Sequence, residues 1–127
     1  MLRIAVILVI GCSGAQQRPA PIEETGCEPG RCLDDVARVM KEHRPEMRAC
    51  YELAQAQRAG LEGSMTVNFV IDPQGAVVET SPSVRDGEIE DAELFDCLSS
   101  MVKQVTFMSS PTGKRTRAYH VFDFKKP

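Results

Sequence analysis

The sequence lacks tryptophan and has few other aromatic residues, with two tyrosines and five phenylalanines in 127 residues. Aliphatic side chains and the six methionines must therefore fill much of any hydrophobic core. The chain also lacks an excess of basic residues, because its formal net charge at pH 7 is −3. Nucleic-acid binding needs a clustered basic surface that neutralises phosphates, so this balance argues against a nucleic-acid partner.

The sequence also lacks an apolar run long enough to cross a bilayer as a mature helix. The longest run, Ile4 to Ile10, is far shorter than the about 20 residues that such a helix needs. A basic residue before it and small residues after it are typical of a secretory signal. The run ends in "VIGC", which resembles the lipobox of bacterial lipoproteins. That resemblance implies cleavage after residues 1–11 and attachment of diacylglycerol and an acyl chain such as palmitate to Cys12.

Two other interpretations of the first residues stay open, an ordinary secretion signal and a buried strand whose cysteine is incidental. The lipoprotein interpretation places the protein in the cell envelope, anchored to the membrane by its N-terminal lipid and facing the periplasm. Ser13 favours the outer membrane over the inner one, because an Asp at that position typically favours inner-membrane retention. Residues 13–26 are polar and aperiodic, so we expect residues 12–32 to form a flexible tether.

Of the five cysteines, four remain after Cys12. An even number in an exported chain predicts two disulfides, for which three pairings exist. Cys27 and Cys32 flank a Pro-Gly sequence that favours a turn, so a local bond between them is the simplest choice. Cys50 then pairs with Cys97. In an alternative, Cys27, Cys32 and His43 bind zinc, but the sequence shows no fourth ligand nearby.

The residues from Leu33 onward show apolar side chains at spacings of three and four, which predict an amphipathic helix. Pro45 interrupts this pattern, and it either kinks one helix or begins a second one. Because the apolar face keeps its phase across Pro45, we expect a single kinked helix. Glycines at positions 60 and 63 are expected to end it.

The second half of the chain alternates between strand and helix patterns. Residues 65–71 alternate as in a half-buried strand, "DPQG" predicts a type I turn, and Ala76 to Val84 form the return strand. A second helix is predicted from Asp91 to Val105, and residues 118–124 alternate again. The order α-β-β-α-β predicts an α+β domain over residues 33–127. We expect a three-stranded antiparallel sheet packed on two helices and stapled by disulfides.

Four segments of the sequence carry a family resemblance: "HRPEMRACYE", "LEGSMTVNFVIDPQGAVV", "LFDCLSSMVKQVTF" and the final "VFDF". Together they resemble the AgmX/PglI C-terminal domain, which is similar to the C-terminal domain of TonB-type energy transducers. The resemblance covers residues 33–124 and implies a TonB-C-like fold with a binding role in the envelope. Cys97 matches the other cysteine of that family, which supports its pairing with Cys50. Thr106 stands where the family usually has tryptophan.

The sequence shows no pattern that indicates a catalytic site. His43 and His120 lie on predicted apolar faces, which is typical of positions at the edge of a core. The acidic "RDGEIED" does not match the alternating ligands of a calcium loop and is typical of a helix start. We therefore expect a non-enzymatic protein with no catalytic residue, metal or cofactor. The basic "TGKRTR" is expected to be a solvated loop, with a contact to anionic lipid or an acidic partner as the alternative.

The predicted sheet suggests how such a protein acts. A three-stranded sheet has exposed edges to which an extended peptide can add as a further strand, and TonB-like domains use this mode. We expect a lipoprotein that binds an envelope protein through its last strand, Thr116 to Phe124. Tyr119, Val121 and Asp123 are the expected contact residues. The alternative is a structural protein that forms homo-oligomers, for example in a gliding-motility or transport assembly.

Overall fold

The computed structural model describes residues 22–23, 27–83 and 85–125. The predicted signal peptide and the predicted lipidation site Cys12 lie outside these ranges, as does most of the predicted tether. Within the described ranges, no helix is long and apolar enough to cross a membrane.

The described ranges contain four strands and three helices that form an α+β fold, as predicted. In chain order these are β1 (Ile22–Glu23), α1 (Leu33–Glu42), α2 (Arg44–Gln57), β2 (Gly63–Ile71), β3 (Val77–Pro82), α3 (Ala92–Val102) and β4 (Arg115–Phe124). If α1 and α2 are counted together and β1 is set aside, the order is the predicted α-β-β-α-β. The number of helices differs from the prediction, which expected two.

The expectation of one kinked helix across Pro45 is wrong. The chain forms two helices that separate at His43, whose φ of −99° and ψ of 15° lie outside the helical region. Pro45 lies in the first turn of α2, where its missing N–H would have no intrahelical partner. Both helices nevertheless bury one apolar face, with Met40 on α1 and Met47 on α2. The common burial explains why the apolar pattern keeps its phase across the break.

The strands form one sheet in the order β1-β4-β2-β3. Central strand β2 pairs antiparallel with β3 and, over residues 63–71, with residues 116–124 of β4. The three-stranded antiparallel part of the sheet is therefore as predicted. The short strand β1, which the sequence analysis places in the tether, adds in parallel to β4 at Arg115 and Thr116.

The hydrophobic core lies between one face of the sheet and the three helices. It contains side chains from every helix and from β2, β3 and β4, including Val36, Tyr51, Val67, Phe69, Leu94, Leu98 and Phe122. The Tyr51 ring stacks on Phe124 with centroids 4.5 Å apart, and its hydroxyl donates to the carbonyl of Leu61. The Cys50–Cys97 disulfide joins α2 to α3 with Cα atoms 5.7 Å apart, so the predicted pairing is confirmed.

The predicted local bond between Cys27 and Cys32 is also confirmed, with Cα atoms 5.1 Å apart. It closes a turn in which Gly30 has a φ of 76°, a conformation that favours glycine. A side chain at this position would also collide with Met108. The turn is thus held against the loop before β4. Residues 27–32, which the sequence analysis assigns to a flexible tether, pack on the domain, so the folded unit begins before Leu33.

Arg31 makes several of the polar contacts of this turn and is only 1% exposed. Its guanidinium donates to the carbonyls of Met108 at 2.9 Å, Ile71 at 3.0 Å and Lys114 at 3.1 Å. It also donates to the Thr116 hydroxyl at 3.3 Å. A buried arginine is tolerated when its donors find acceptors, and here they join the end of β2 to the start of β4.

Glu28 supports the same loop from the other side of the turn. Its Oε1 accepts hydrogen bonds from the hydroxyls of Ser110 at 2.6 Å and Thr112 at 3.1 Å. These bonds, Ser110 first, lower the pKa of Glu28, and the positive charge of Arg31 acts in the same direction against the effect of burial. The loop before β4 is therefore held by both charged side chains of the Cys27–Cys32 turn.

Candidate interaction edge

Strand β4 lies at an edge of the sheet over most of its length. One side of the strand pairs with β2 throughout, whereas the other side pairs with β1 only at Arg115 and Thr116. Among residues 22–23, 27–83 and 85–125, no strand covers that second side beyond Thr116. We call residues 117–124 the open edge of β4.

The hydrogen bonds of β2 show which of its residues direct their backbone groups toward β4. The carbonyl of Thr66 accepts from the Ser83 N–H at 3.3 Å, and the carbonyl of Ser64 accepts from the Ile89 N–H at 2.8 Å. Both donors follow β3 in the chain, so Ser64 and Thr66 direct their backbone groups away from β4. Because neighbouring residues of an antiparallel strand bond to opposite sides, the alternate residues of β2 bond to β4.

The same alternation identifies the unpaired backbone groups of β4. Met65 and Val67 bond toward β4 and lie opposite Phe122 and His120, so these two residues of β4 bond toward β2. The residues between them in the chain direct both the N–H and the C=O away from the sheet. Along the open edge they are Arg117, Tyr119, Val121 and Asp123.

The three contact residues expected from the sequence lie together on this edge. Tyr119 is 43% exposed and Val121 is 38% exposed, which makes them two of the five exposed large apolar side chains in the described ranges. Asp123 is also exposed. All three side chains point to the face of the sheet opposite the helices. Each of these residues therefore presents an exposed side chain and an outward-directed backbone.

A groove of about 540 Å³ lies on the helix side of the open edge. Residues 120–125 form one wall, and the end of α1 and the start of α2 form the other. Lys41, Arg44 and Arg48 line the helical wall, and we call these three residues the basic wall. No sequence pattern predicts this feature, because the helix break at His43 separates Lys41 on α1 from Arg44 and Arg48 on α2. Only the spacing of four between Arg44 and Arg48 places two of the cations on one helical face.

His120 also lines this groove and lies on the same side of β4 as the phenylalanines, as expected. Its ring meets Phe122 edge to face, with centroids 4.7 Å apart. Burial in this apolar setting lowers the pKa of His120, because the charged imidazolium loses hydration there. The other histidine, His43, is half-buried between α1 and α2.

A second groove, of about 1070 Å³, lies beside the Cys27–Cys32 turn and the start of α1. Its lining includes Asn68, Ser81 and Tyr119 from the three antiparallel strands. Tyr119 therefore belongs both to the open edge and to the lining of this groove.

The acidic segment before α3 has structural roles. Asp91 caps α3 by accepting from the Leu94 N–H at 2.9 Å, and it forms an ion pair with Arg58. Burial by itself raises the pKa of Asp91. The hydrogen bonds from Arg58 and from the Leu94 N–H, together with the positive charge of Arg58, outweigh burial, so the pKa of Asp91 lies below its ordinary value. Glu88 accepts from the Thr66 hydroxyl at 2.6 Å. These carboxylates are therefore engaged in holding α3 and β2.

The zinc alternative is overturned, because Cys27 and Cys32 are bonded to each other. Within the part of the chain that the structure describes, no group of three or more His, Cys, Asp or Glu side chains is placed to hold a metal ion. The basic segment "TGKRTR" is solvated only in part. Lys114 and Arg115 are half-buried, and Arg115 forms an ion pair with Glu79 at 2.9 Å.

Comparisons with known proteins found no matching family model, no similar curated protein and no similar solved structure. The resemblance to the AgmX/PglI C-terminal domain stays a prediction that rests on the segments quoted above.

Proposed function

We propose that this chain is a non-enzymatic, lipid-anchored protein of the cell envelope that binds a protein partner by strand addition to β4. Its domain would be TonB-C-like. One observation carries the proposal: Arg117, Tyr119, Val121 and Asp123 direct their backbone N–H and C=O groups to a side that no described strand covers. Each residue offers one donor and one acceptor, and each bond made in binding contributes about 0.5–1.5 kcal/mol net.

The pairing of β1 with β4 supports this mode of binding. Two residues of the chain itself already add as a parallel strand at Arg115 and Thr116. The outer side of β4 therefore has a backbone geometry that accepts another strand. A partner would continue the sheet beside the remaining residues of the same edge.

The composition of the open edge also supports binding. Natural edge strands are usually protected by brevity, proline, a bulge or central charges. β4 has ten residues without a proline, and its charged outer-face residues Arg117 and Asp123 flank the exposed pair Tyr119 and Val121. Such an edge favours pairing with a partner over isolation in solvent.

Self-association is the second candidate function, and the sequence of the edge favours it in one respect. If two copies paired antiparallel about His120, Arg117 of one copy would lie opposite Asp123 of the other. Tyr119 would lie opposite Val121 in the same register. Both are cross-strand pairs that stabilise antiparallel sheets, by about 0.2–1 kcal/mol each.

A photo-crosslinking experiment in the native host tests strand addition and separates the two candidates. A benzophenone amino acid replaces Tyr119 in the full chain, and the matched control carries it at exposed Ala56 on α2. We expect a specific adduct from position 119, none from position 56, and loss of the adduct when Val121→Pro is added. An adduct of twice the monomer mass would support self-association. Equal adducts from both positions, or none, would contradict the proposal.

The intact mass of the protein from its host tests the anchor. We expect loss of residues 1–11, added mass from acyl chains on Cys12, and a gain of the mass of four hydrogen atoms on reduction of the two disulfides. An unprocessed chain without acyl groups would contradict the lipoprotein part of the proposal and leave strand addition to the crosslinking result.

A further inference from the structure

We infer that the open edge of β4 selects an acidic partner, namely an extended segment with Asp or Glu at alternate positions facing the basic wall. The inference rests on the proposed function, because it concerns the chemistry of the strand that β4 would accept. It comes from the groove between β4 and the two N-terminal helices.

The basic wall has a local excess of positive charge. Lys41, Arg44, Arg48 and Lys125 line the groove, all of them exposed, in a protein whose net charge is −3. Arg48 pairs with Glu52 at 3.5 Å. Within the described ranges, no carboxylate lies within 4.0 Å of the Lys41 or Arg44 side-chain nitrogens. These two cations are therefore available to a ligand.

The geometry of strand addition would bring the ligand to these cations. Neighbouring strands of a sheet lie about 4.8 Å apart, so an added strand would run along the mouth of the groove. Every second side chain of that strand would point toward the helices. Carboxylates at those positions would approach Lys41 and Arg44, whose long side chains reach across a gap of variable width.

The one carboxylate on the β4 wall does not neutralise the groove. The backbone of Asp123 lies beside the groove, but its side chain belongs to the row that points to the opposite face of the sheet. The side chains of β4 that face the helices are Thr116, Ala118, His120, Phe122 and Phe124. None of them is acidic, and the pKa of His120 is lowered by burial.

A second copy of this chain fits the basic wall less well than an acidic strand. The helix-facing side chains that its β4 would bring are the same five residues, so it would supply no carboxylate. It would also add its own basic wall to the assembly. An anionic membrane would match the charge of the basic wall but would not bond to the outward backbone groups of Val121. The variant Val121→Pro therefore distinguishes an added strand from a membrane contact.

The test measures binding of two defined peptides to the full chain. One has nine residues of alternating glutamate and valine, and the other has lysine in place of glutamate. Both are titrated at low salt while the backbone amide signals of β4 are followed by NMR. We expect the glutamate peptide to bind about tenfold more tightly, with the preference weakening as salt is added.

Matched charge variants assign the preference to the wall. In Lys41→Glu/Arg44→Glu we expect the preference for the glutamate peptide to be lost or reversed. Arg85→Glu/Lys103→Glu makes the same change in net charge at exposed positions outside the groove lining, and we expect it to keep the preference. Circular dichroism of both variants confirms that the fold is retained.

The outcomes separate this inference from the proposed function. If both peptides bind equally and Val121→Pro abolishes both, strand addition stands and acidic selection is overturned. If neither peptide binds, acidic selection is overturned and strand addition is judged by the crosslinking result. If vesicles of phosphatidylglycerol bind through Lys41 and Arg44 with no effect of Val121→Pro, the wall is a lipid contact and the inference is overturned.

Discussion

The two ends of β4 have opposite surroundings although they belong to one strand. At its start, Arg115 and Thr116 pair with β1. The buried guanidinium of Arg31 donates there to the Thr116 hydroxyl, to the carbonyl of Ile71 at the end of β2 and to the carbonyl of Lys114 just before β4. Over residues 117–124 the same side of the strand has no described strand beside it. We call the first region the closed end and compare it with the open edge.

This comparison shows that protection of the sheet edge is local. The closed end is covered by a turn that two cysteines constrain and that buries a charged side chain at the strand start. The open edge instead has exposed apolar side chains and a groove with a basic wall. Because only one end of this edge is covered by a described strand, the backbone groups of the open edge remain exposed to pairing with another strand.

Replacing Arg31 at the closed end should cause the largest loss of stability. Arg31→Met should lower the free energy of unfolding by about 3–5 kcal/mol, because several buried carbonyls lose their donor. The matched control at the open edge, Arg117→Met, should change it by less than about 0.5 kcal/mol. Urea unfolding measures both. Equal losses would show that the buried contacts of Arg31 stabilise the fold no more than the exposed side chain of Arg117 does.

Proline substitutions at two adjacent residues test the direction of the backbone groups on the open edge. His120→Pro should destabilise by about 3 kcal/mol, because it removes a bond to β2 and strains the ladder. Val121→Pro should cost about 1 kcal/mol or less, because its N–H points away from the sheet. Thermal unfolding of the two variants provides the comparison. A larger loss in Val121→Pro would reverse the assignment of inward and outward residues.

Opening the Cys27–Cys32 turn should have a smaller effect. Cys27→Ser/Cys32→Ser should lower stability by about 2 kcal/mol on the chain-entropy model, because the closed loop is short. Hydrogen exchange should accelerate at Thr116 more than at Phe122, since both bond toward β2 but only Thr116 contacts the turn. Uniform acceleration along β4 would mean that the turn does not act locally on the closed end.

Acidification should produce the smallest changes in the free energy of unfolding. The open edge and the closed end should lose stability over different pH ranges. The pKa of His120 is lowered from its ordinary value of 6.5, so stability present above pH 6.5 should fall as the pH drops toward the folded-state pKa. The pKa of Glu28 is lowered from 4.5, so its contribution should persist above pH 4.5 and be lost below it. His120→Gln should remove the first dependence and Glu28→Gln the second, as measured by urea unfolding across pH. Unchanged pH profiles in both variants would contradict these assignments.

Much of the fold was predictable because its signals are local. Alternation in residues 65–71 and 118–124 identified two strands and their buried faces, and the Pro-Gly turn between Cys27 and Cys32 identified the local disulfide. The break at His43 was not predicted, because an apolar face in constant phase does not distinguish one helix from two that pack on the same surface. The pair of residues that forms β1 had no pattern long enough to detect.

The sequence by itself determined the strand order along the chain, the faces of β4 and the two cysteine pairs, because these follow from periodicity, turn preference and cysteine number. Only the tertiary structure decided which end of β4 is covered. Arg31 contacts groups 40 to 85 positions away in the chain, and the basic wall meets β4 from helices that precede it by most of the domain. Contacts between such distant residues depend on how the chain folds back on itself, and no local pattern of side chains encodes them.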